Sequence, residues 1–566
     1  MLQQGGRLGM AIKFCHHCSL KVLPAEDGTC PQCHIPIEQS KHLPPALNDL
    51  KKHDTIPKVS SSVNDTKFHT PFHKKDSAFR AAVIVGIIFC SAIIMFAIGT
   101  RKIIILQDLP DHIGRAAILK DYFFSPFFQE YFRLAWFPTP YVLPDIVNAL
   151  LLIFFDPVLT SKLYSLFAVF FLIAGSLFCV HRNSPGLEEI ALFPFAIVLT
   201  NIFFKGNLNF LLGVGFFLFL AGYWWPKRSQ TSVRQDLLIA AAGVILYGIH
   251  LICLMAWYLI FIIRFFLRYA HSAKVEWKTL WPLLPSGILT TIFFMWDGSG
   301  ATTNADELAL RGISAVAFSN IWANIKALGL FFGTTADNTW LVFIPVFALY
   351  SAAAIFSLIK IKFSAEWLIF SILLGGFLIA PPELPNLVRP GERLLFIALF
   401  WGMLIIKHNV LWHKALRWSW IITMCFACAL LSFRFCMVEK SVEQRYLSYL
   451  DGLKTVPENS VICPVKFRTE NSFMHIDKFL PAMRQSIVPG IFIPKHIILR
   501  YRKHLPVPPR PPHITREMLK TYRYFIFSGA SDQTKALISQ GTFKIRWNNP
   551  EAAIIENCGF SAMACK

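Results

Sequence analysis

Charge is what this sequence has least of. Only 16% of its 566 residues are Asp, Glu, Lys or Arg, where a soluble chain carries about a quarter. The deficit is concentrated between about residues 80 and 436, where apolar runs follow one another with short breaks. A string of ordinary soluble domains is excluded by that pattern. No cleavable leader is expected either, because residues 1–80 are polar and the first long apolar run begins near Arg80. No convincing internal duplication is visible, which weighs against a transporter built from repeats. Acid is scarcer than base, 34 residues against 55, for a net charge of +21. Basic residues beside membrane spans meet anionic head groups and set orientation, so this balance does not call for nucleic acid.

What the chain has instead is apolar bulk: 54% hydrophobic residues, with 53 Phe and 15 Trp. A helix of about 20 apolar residues crosses the hydrocarbon core and closes its own backbone hydrogen bonds there. About eleven such spans are expected on this criterion. They are Ala81–Thr100, Val158–Val180, Glu189–Phe204, Leu208–Trp225, Gln235–Tyr247, His250–Leu267, Leu280–Trp296, Trp340–Ile359, Glu366–Ala380, Leu394–Ile406 and Trp418–Phe435. The predicted fold class is therefore an α-helical polytopic membrane protein, with residues 80–436 as its transmembrane domain. Placing the N-terminus in the cytoplasm puts most short basic clusters on that side, among them Lys74/Lys75, Lys227/Arg228, Arg264/Arg268 and Lys360/Lys362.

Two ends flank the spans. Residues 1–40 contain Cys15-x-x-Cys18 and Cys30-x-x-Cys33, two knuckles spaced to hold one structural Zn²⁺ in a zinc ribbon. The reducing cytoplasm favours metal over disulfide there, and a closed site of this kind suits docking of a cytoplasmic protein partner. Residues 41–79 read as a flexible linker. Residues 437–566 read as an extracytoplasmic α/β domain, with strands at Ser460–Val465, Tyr522–Ser528 and Phe543–Trp547 and a helix at Asp532–Gln540. On this topology Cys463, Cys558 and Cys565 are outside, enough for one disulfide. The outer loop 101–157 mixes aromatics and charges as short interfacial helices do, and Pro140–Phe155 is expected to dip without crossing.

The candidate chemistry lies just after the first span, in Gln107-Asp108-Leu109-Pro110-Asp111-His112 with Arg115 one turn on. Two carboxylates and an imidazole can serve as base and metal ligands; equally, Asp108 can cap a helix and Asp111 favour its dipole. His250 opens a span, and Arg389-Pro-Gly-Glu-Arg393 opens a late one, where Glu392 can pair with Arg393.

A first span followed by an acidic outer loop, interfacial helices, many later spans and a C-terminal outer domain resembles the GT-C glycosyltransferases. The Asp-Leu-Pro-Asp-His stretch is similar to the acidic motif of that family's first outer loop. Gly206-Asn207-Leu208-Asn209-Phe210, Gly248-Ile249-His250-Leu251, Arg389–Arg393 and the tail with Met474-His475 are also similar to bacterial members. The resemblance covers about residues 80–550 and is one of layout; the zinc ribbon is not part of it. It implies an inverting enzyme of a bacterial inner membrane using a polyprenyl-phosphate sugar donor. Asp108, Asp111 and His112 would be catalytic, a divalent cation could assist, and Arg115, Lys205, His250, Arg389 and Arg393 would bind substrate. The competing readings are a transporter or flippase, and a zinc-ribbon sensor or scaffold.

Overall fold

The computed structural model describes residues 13–15 and 20–22, and then most of 77–297, 320–328, 340–406 and 414–560 with short breaks. The chain divides into two compact units, Met1–His73 and Lys74–Lys566. In the first, β1 (Lys13–Cys15) pairs antiparallel with β2 (Leu20–Val22), Cys15 opposite Leu20. Cys18, Cys30, Cys33 and the linker up to His73 lie outside the described residues.

The second unit opens with α1 (Ser77–Gly99), whose Ile84, Val85, Ile88, Phe89, Met95 and Phe96 are exposed. Apolar faces of that size are stable only where something other than water covers them. Four helices are long and apolar enough to cross a membrane: α1, Pro157–Asn183, Leu251–Ala270 and Ala415–Met437. The chain is an integral membrane protein. Val142–Phe154, Leu208–Trp224, Phe343–Ile355 and Ala365–Ile379 are shorter apolar helices, so four full-length spans, rather than about eleven, stand among the described residues.

The clearest departure is at 189–204. Instead of one span, the chain makes a 3-10 turn (Glu188–Leu192) that runs into a short helix (Phe193–Ile197), followed after a break by a second (Asn201–Phe204). The outer-loop helices α2 (Leu109–Asp121), α3 (Pro126–Tyr131), α4 (Val142–Phe154) and the span α5 (Pro157–Asn183) come before it; α6 (Phe193–Ile197) and α7 (Asn201–Phe204) make the broken segment. Pro194 near the start of α6 lacks the N–H an uninterrupted helix would use. The segment is apolar because it is buried on all sides: Ile190 through Leu199 are almost wholly inaccessible. Glu189, also inaccessible, is held by Arg417 at 2.5 Å. At 13 residues α4 is about 20 Å long, too short for a core of about 30 Å, as expected of a dip.

The remaining helices are α8 (Leu208–Trp224), α9 (Val233–Ile249), α10 (Leu251–Ser272), α11 (Leu284–Asp297), α12 (Trp340–Lys360), α13 (Ala365–Ile379), α14 (Pro390–Gly402) and α15 (Lys414–Leu453). α5 and α8 approach closely through Gly175 and Gly215: a methyl group added at Gly175 would lie 2.3 Å from the Gly215 carbonyl oxygen. Small residues permit such packing where no hydrophobic effect drives helices together. α15 runs for 40 residues, about 60 Å, so the last span continues unbroken into the C-terminal region.

A small hairpin of β4 (Glu383–Leu384) and β5 (Leu387–Val388) precedes α14. In the C-terminal region β6 (Ile462–Lys466), β8 (Tyr524–Ser528), β9 (Phe543–Asn548) and β10 (Ala552–Asn557) form one sheet in the order β6-β8-β10-β9. β6 is parallel to β8; the other neighbours are antiparallel. Cys463 is a free buried thiol and Cys558 is disulfide-bonded; the expected helix 532–540 lies outside the described residues. The sheet region is tied to the first outer loop. β3 (Phe132–Leu134) pairs with β7 (Leu499–Tyr501), and Lys503 meets Glu130. The short helix α16 (Leu480–Arg484) packs on α2, and α17 (Arg516–Thr521) precedes β8.

Candidate active site

Two loops make the site by pairing their backbones. Gln107 donates to the Phe204 carbonyl at 3.0 Å and Asp108 to the Lys205 carbonyl at 3.2 Å. The next residue, Gly206, has φ +78°, and a Cβ there would come within 2.8 Å of the Asp108 nitrogen. A side chain would be strained by the backbone and blocked by the neighbour. Asp108 thus sits against Lys205 although the two are far apart in sequence.

Asp108 takes the N-cap position of α2, yet its side chain makes no capping hydrogen bond. The carboxyl is 44% exposed and is not committed to the helix. Loss of hydration there and the neighbouring Asp111 raise its pKa above the usual carboxylate value, against the opposing charges of His475, His112 and Arg393. A raised pKa makes it a stronger base once ionised. Asp111, one turn on, is 2% exposed and lies 2.8 Å from His475 Nδ1. His475 Nε2 is 3.9 Å from Asp108. The ligand atoms of Asp108, Asp111 and His475 all fall within 4.8 Å of one another, and two carboxylates with one imidazole are a donor set that fits a divalent cation.

His112 and Arg115 belong to a buried polar network. Arg115 binds the Asp145 carboxylate through Nε at 3.2 Å and an Nη at 3.0 Å. The same Nη lies 2.6 Å from His112 Nδ1. A guanidinium has donors only, so His112 Nδ1 accepts and the ring proton sits on Nε2. Asn209 completes the set: its amide nitrogen faces His112 Nδ1 at 3.5 Å, and its oxygen accepts from Tyr164. His112 is therefore a fixed donor at Nε2 rather than a base at Nδ1, and Arg115, 2% exposed, faces Asp145 rather than open space.

The cationic residues gather beside Asp108. Lys205 and Arg389 both bind Glu392, at 2.8 and 2.9 Å, so Glu392 is not the partner of Arg393. Arg393 donates to Asn207 at 2.9 Å and lies close enough to Asp108 to stabilise its charge. Burial pulls the Lys205 pKa down, with Glu392 opposing. Arg389 holds a left-handed backbone at φ 50°, and so does Tyr141 at φ 64°; strain of this kind is kept only where the surroundings impose it. His250 sits in the break between α9 and α10, 4% exposed, with its ring edge-on to Tyr141 at 5.0 Å and to Phe210 at 5.1 Å.

Of the residues expected from sequence, Asp108, Asp111, His112, Arg115, Lys205, Arg389 and Arg393 come to one region. Asp145 and Tyr164 are missing from the sequence expectations, being single polar residues in apolar stretches, and that rarity was the available signal; Asn207 and Asn209 figured there only within the Gly206–Phe210 stretch. His475 was visible only as part of the tail.

The crystal structure of ArnT from Cupriavidus metallidurans bound to undecaprenyl phosphate superposes on this arrangement of membrane helices, helical outer loop and late sheet with a TM-score of 0.51, at 11% identity, over 85% of this chain and 98% of that one. The chain has a GT-C-type fold. The apo form of the same protein matches over the same shares at 12% identity with a TM-score of 0.40. No protein-family model and no curated protein matches the sequence. The GT-C-type likeness is thus one of fold, carried by shape rather than by residue identity.

Proposed function

We propose that this chain is a membrane glycosyltransferase that moves a sugar from a polyprenyl-phosphate-linked donor to an acceptor on the extracytoplasmic side. The observation that carries the reading is Asp108: a half-exposed carboxylate that does not cap its helix, with Arg393 close by, Lys205 paired to its backbone, and Arg389 joined to Lys205 through Glu392. Undecaprenyl phosphate bound to the similarly folded ArnT supports a lipid phosphate as the donor's leaving group. Asp108 accepts the proton of the acceptor hydroxyl as its oxygen bonds to the anomeric carbon. The bond from that carbon to the phosphate oxygen breaks, and its electron pair leaves with the lipid phosphate. One displacement inverts the anomeric centre. Lys205, Arg389 and Arg393 stabilise the charge that collects on the phosphate, the guanidiniums by paired hydrogen bonds.

A divalent cation held by Asp108 and Asp111 would supply further positive charge to that phosphate. In the same proposal, Cys15, Cys18, Cys30 and Cys33 hold a structural Zn²⁺ in a cytoplasmic ribbon that serves protein docking. The phosphate side is tested by binding of undecaprenyl phosphate to the purified protein. Lys205→Ala and Arg393→Ala should each weaken binding about tenfold, roughly the worth of one charge-assisted contact. Wild-type affinity in both variants would remove these residues from the donor site.

A further inference from the structure

The first outer loop does not form the site alone, because His475 is brought to it from far along the chain. We propose that His475 is a positioning residue: its imidazole, 2.8 Å from the Asp111 carboxylate through Nδ1, sets that carboxylate beside Asp108, and a close contact of α2 with residues 475–481 holds it there.

Three observations converge. First, the 2.8 Å contact of His475 Nδ1 with Asp111 leaves Nε2 on the Asp108 side, 3.9 Å from its carboxylate. One imidazole thus spans both acids. Second, Gly114 lies three residues after Asp111, on the same face of α2. A Cβ at Gly114 would stand 2.3 Å from the Lys478 carbonyl oxygen and 3.7 Å from Pro481. Lys478 in turn lies three residues after His475, and its N–H donates to the His475 carbonyl at 2.9 Å. The pairs Asp111–His475 and Gly114–Lys478 therefore form two successive contacts along one helix face. Third, the segment carrying His475 is anchored from behind by buried charge. Asp477, inaccessible to solvent, binds Lys466 at 2.8 Å and Lys478 at 3.5 Å, and Lys478 donates to the Pro489 carbonyl at 2.8 Å. A buried, charge-paired support gives a 3-10 turn the rigidity to set an imidazole.

The inference rests on Asp108 acting as the base, and the test separates the two. Release of undecaprenyl phosphate is followed from a panel of undecaprenyl-phosphate monosaccharides, using the full chain in lipid nanodiscs. His475→Ala should lower kcat about tenfold or more while donor KM stays within about twofold, the mark of an interaction that matters in the transition state. His475→Asn, whose amide N–H lies near the position of Nδ1, should recover much of the loss. Gly114→Ala, which pushes the Lys478 carbonyl away, should reproduce the His475→Ala defect. His475→Ala leaves the buried Asp111 carboxylate without this contact, so its thermal midpoint should fall, and turnover is compared at a temperature where both proteins are folded. Wild-type turnover in His475→Ala beside an inactive Asp108→Asn would overturn the positioning role alone. Wild-type turnover in both would overturn the reading of Asp108 with it. A His475→Ala defect cured by excess Mn²⁺ would replace positioning by metal ligation.

Discussion

At the scale of single residues, the site sorts its charges by what surrounds them. Arg115 and Asp145 are both 2% exposed and bound to each other, so their charges are compensated inside the protein. Removing one partner of such a pair leaves an uncompensated buried charge and costs about 3–5 kcal/mol, whereas replacing both with apolar groups is often nearly neutral. Arg115→Met should therefore lower the thermal midpoint markedly, and adding Asp145→Leu should restore most of it; differential scanning fluorimetry in detergent reads both. The double variant still lacks the Arg115 donor to His112 Nδ1, so regained stability should come without regained activity. Asp108 is the opposite case, with its carboxyl partly exposed and uncommitted to its helix. The sequence contains Asp108, Asp111, His112 and Arg115 within eight residues, and reading them as one chemical cluster was too simple. Which are structural depends on Asp145 and Asn209, residues whose approach is set by helix packing and not by spacing.

At the scale of elements, long apolar runs were legible and their interruptions were not. α1 and α5 fall where hydrophobic length places them, Ser77–Gly99 against an expected 81–100 and Pro157–Asn183 against 158–180. The stretch 189–204 is as apolar as a span, but its hydrophobicity reflects burial inside protein; composition does not separate the two environments. α15 was read as ending near residue 435 and continues to Leu453, because polar residues end a span without ending a helix. The α5–α8 contact gives a direct test. Even one methyl group at Gly175 would meet the Gly215 carbonyl at 2.3 Å, so Gly175→Leu must push the helices apart. A loss of about 1–3 kcal/mol is expected for overpacking of this kind, seen as lower yield of folded protein and a lower thermal midpoint. An unchanged midpoint would mean that the two helices do not cross at these glycines.

At the scale of the whole molecule, the outer loop and the C-terminal region act as one body around the site. They share the β3–β7 pair and the Gly114–Lys478 contact, and Glu443 of α15 accepts from the backbone of Lys102 and Ile103. The parallel β6–β8 pair joins strands far apart in sequence, a connection that local pattern gives no means to foresee. The sheet also carries a pH dependence. Burial opposes ionisation of Glu556, yet hydrogen bonds from Arg523 and Arg546 hold its pKa below the ordinary 4.5. A depressed carboxylate stabilises the fold fully above its unfolded value, and the gain is lost as pH falls through the folded value. Stability should thus decline below about pH 4.5, and Glu556→Gln should flatten that decline while lowering stability at neutral pH; unfolding midpoints across pH measure both.

The central claim is that this GT-C-type molecule performs donor-dependent sugar transfer with Asp108 as its base. Its most direct test is turnover of undecaprenyl-phosphate monosaccharides by wild type and Asp108→Asn, with undecaprenyl phosphate binding measured on the same preparations. Loss of a general base costs about 10²–10⁴-fold, so kcat should fall at least a hundredfold while lipid-phosphate affinity stays near wild type. Equal turnover in the two proteins would contradict the account.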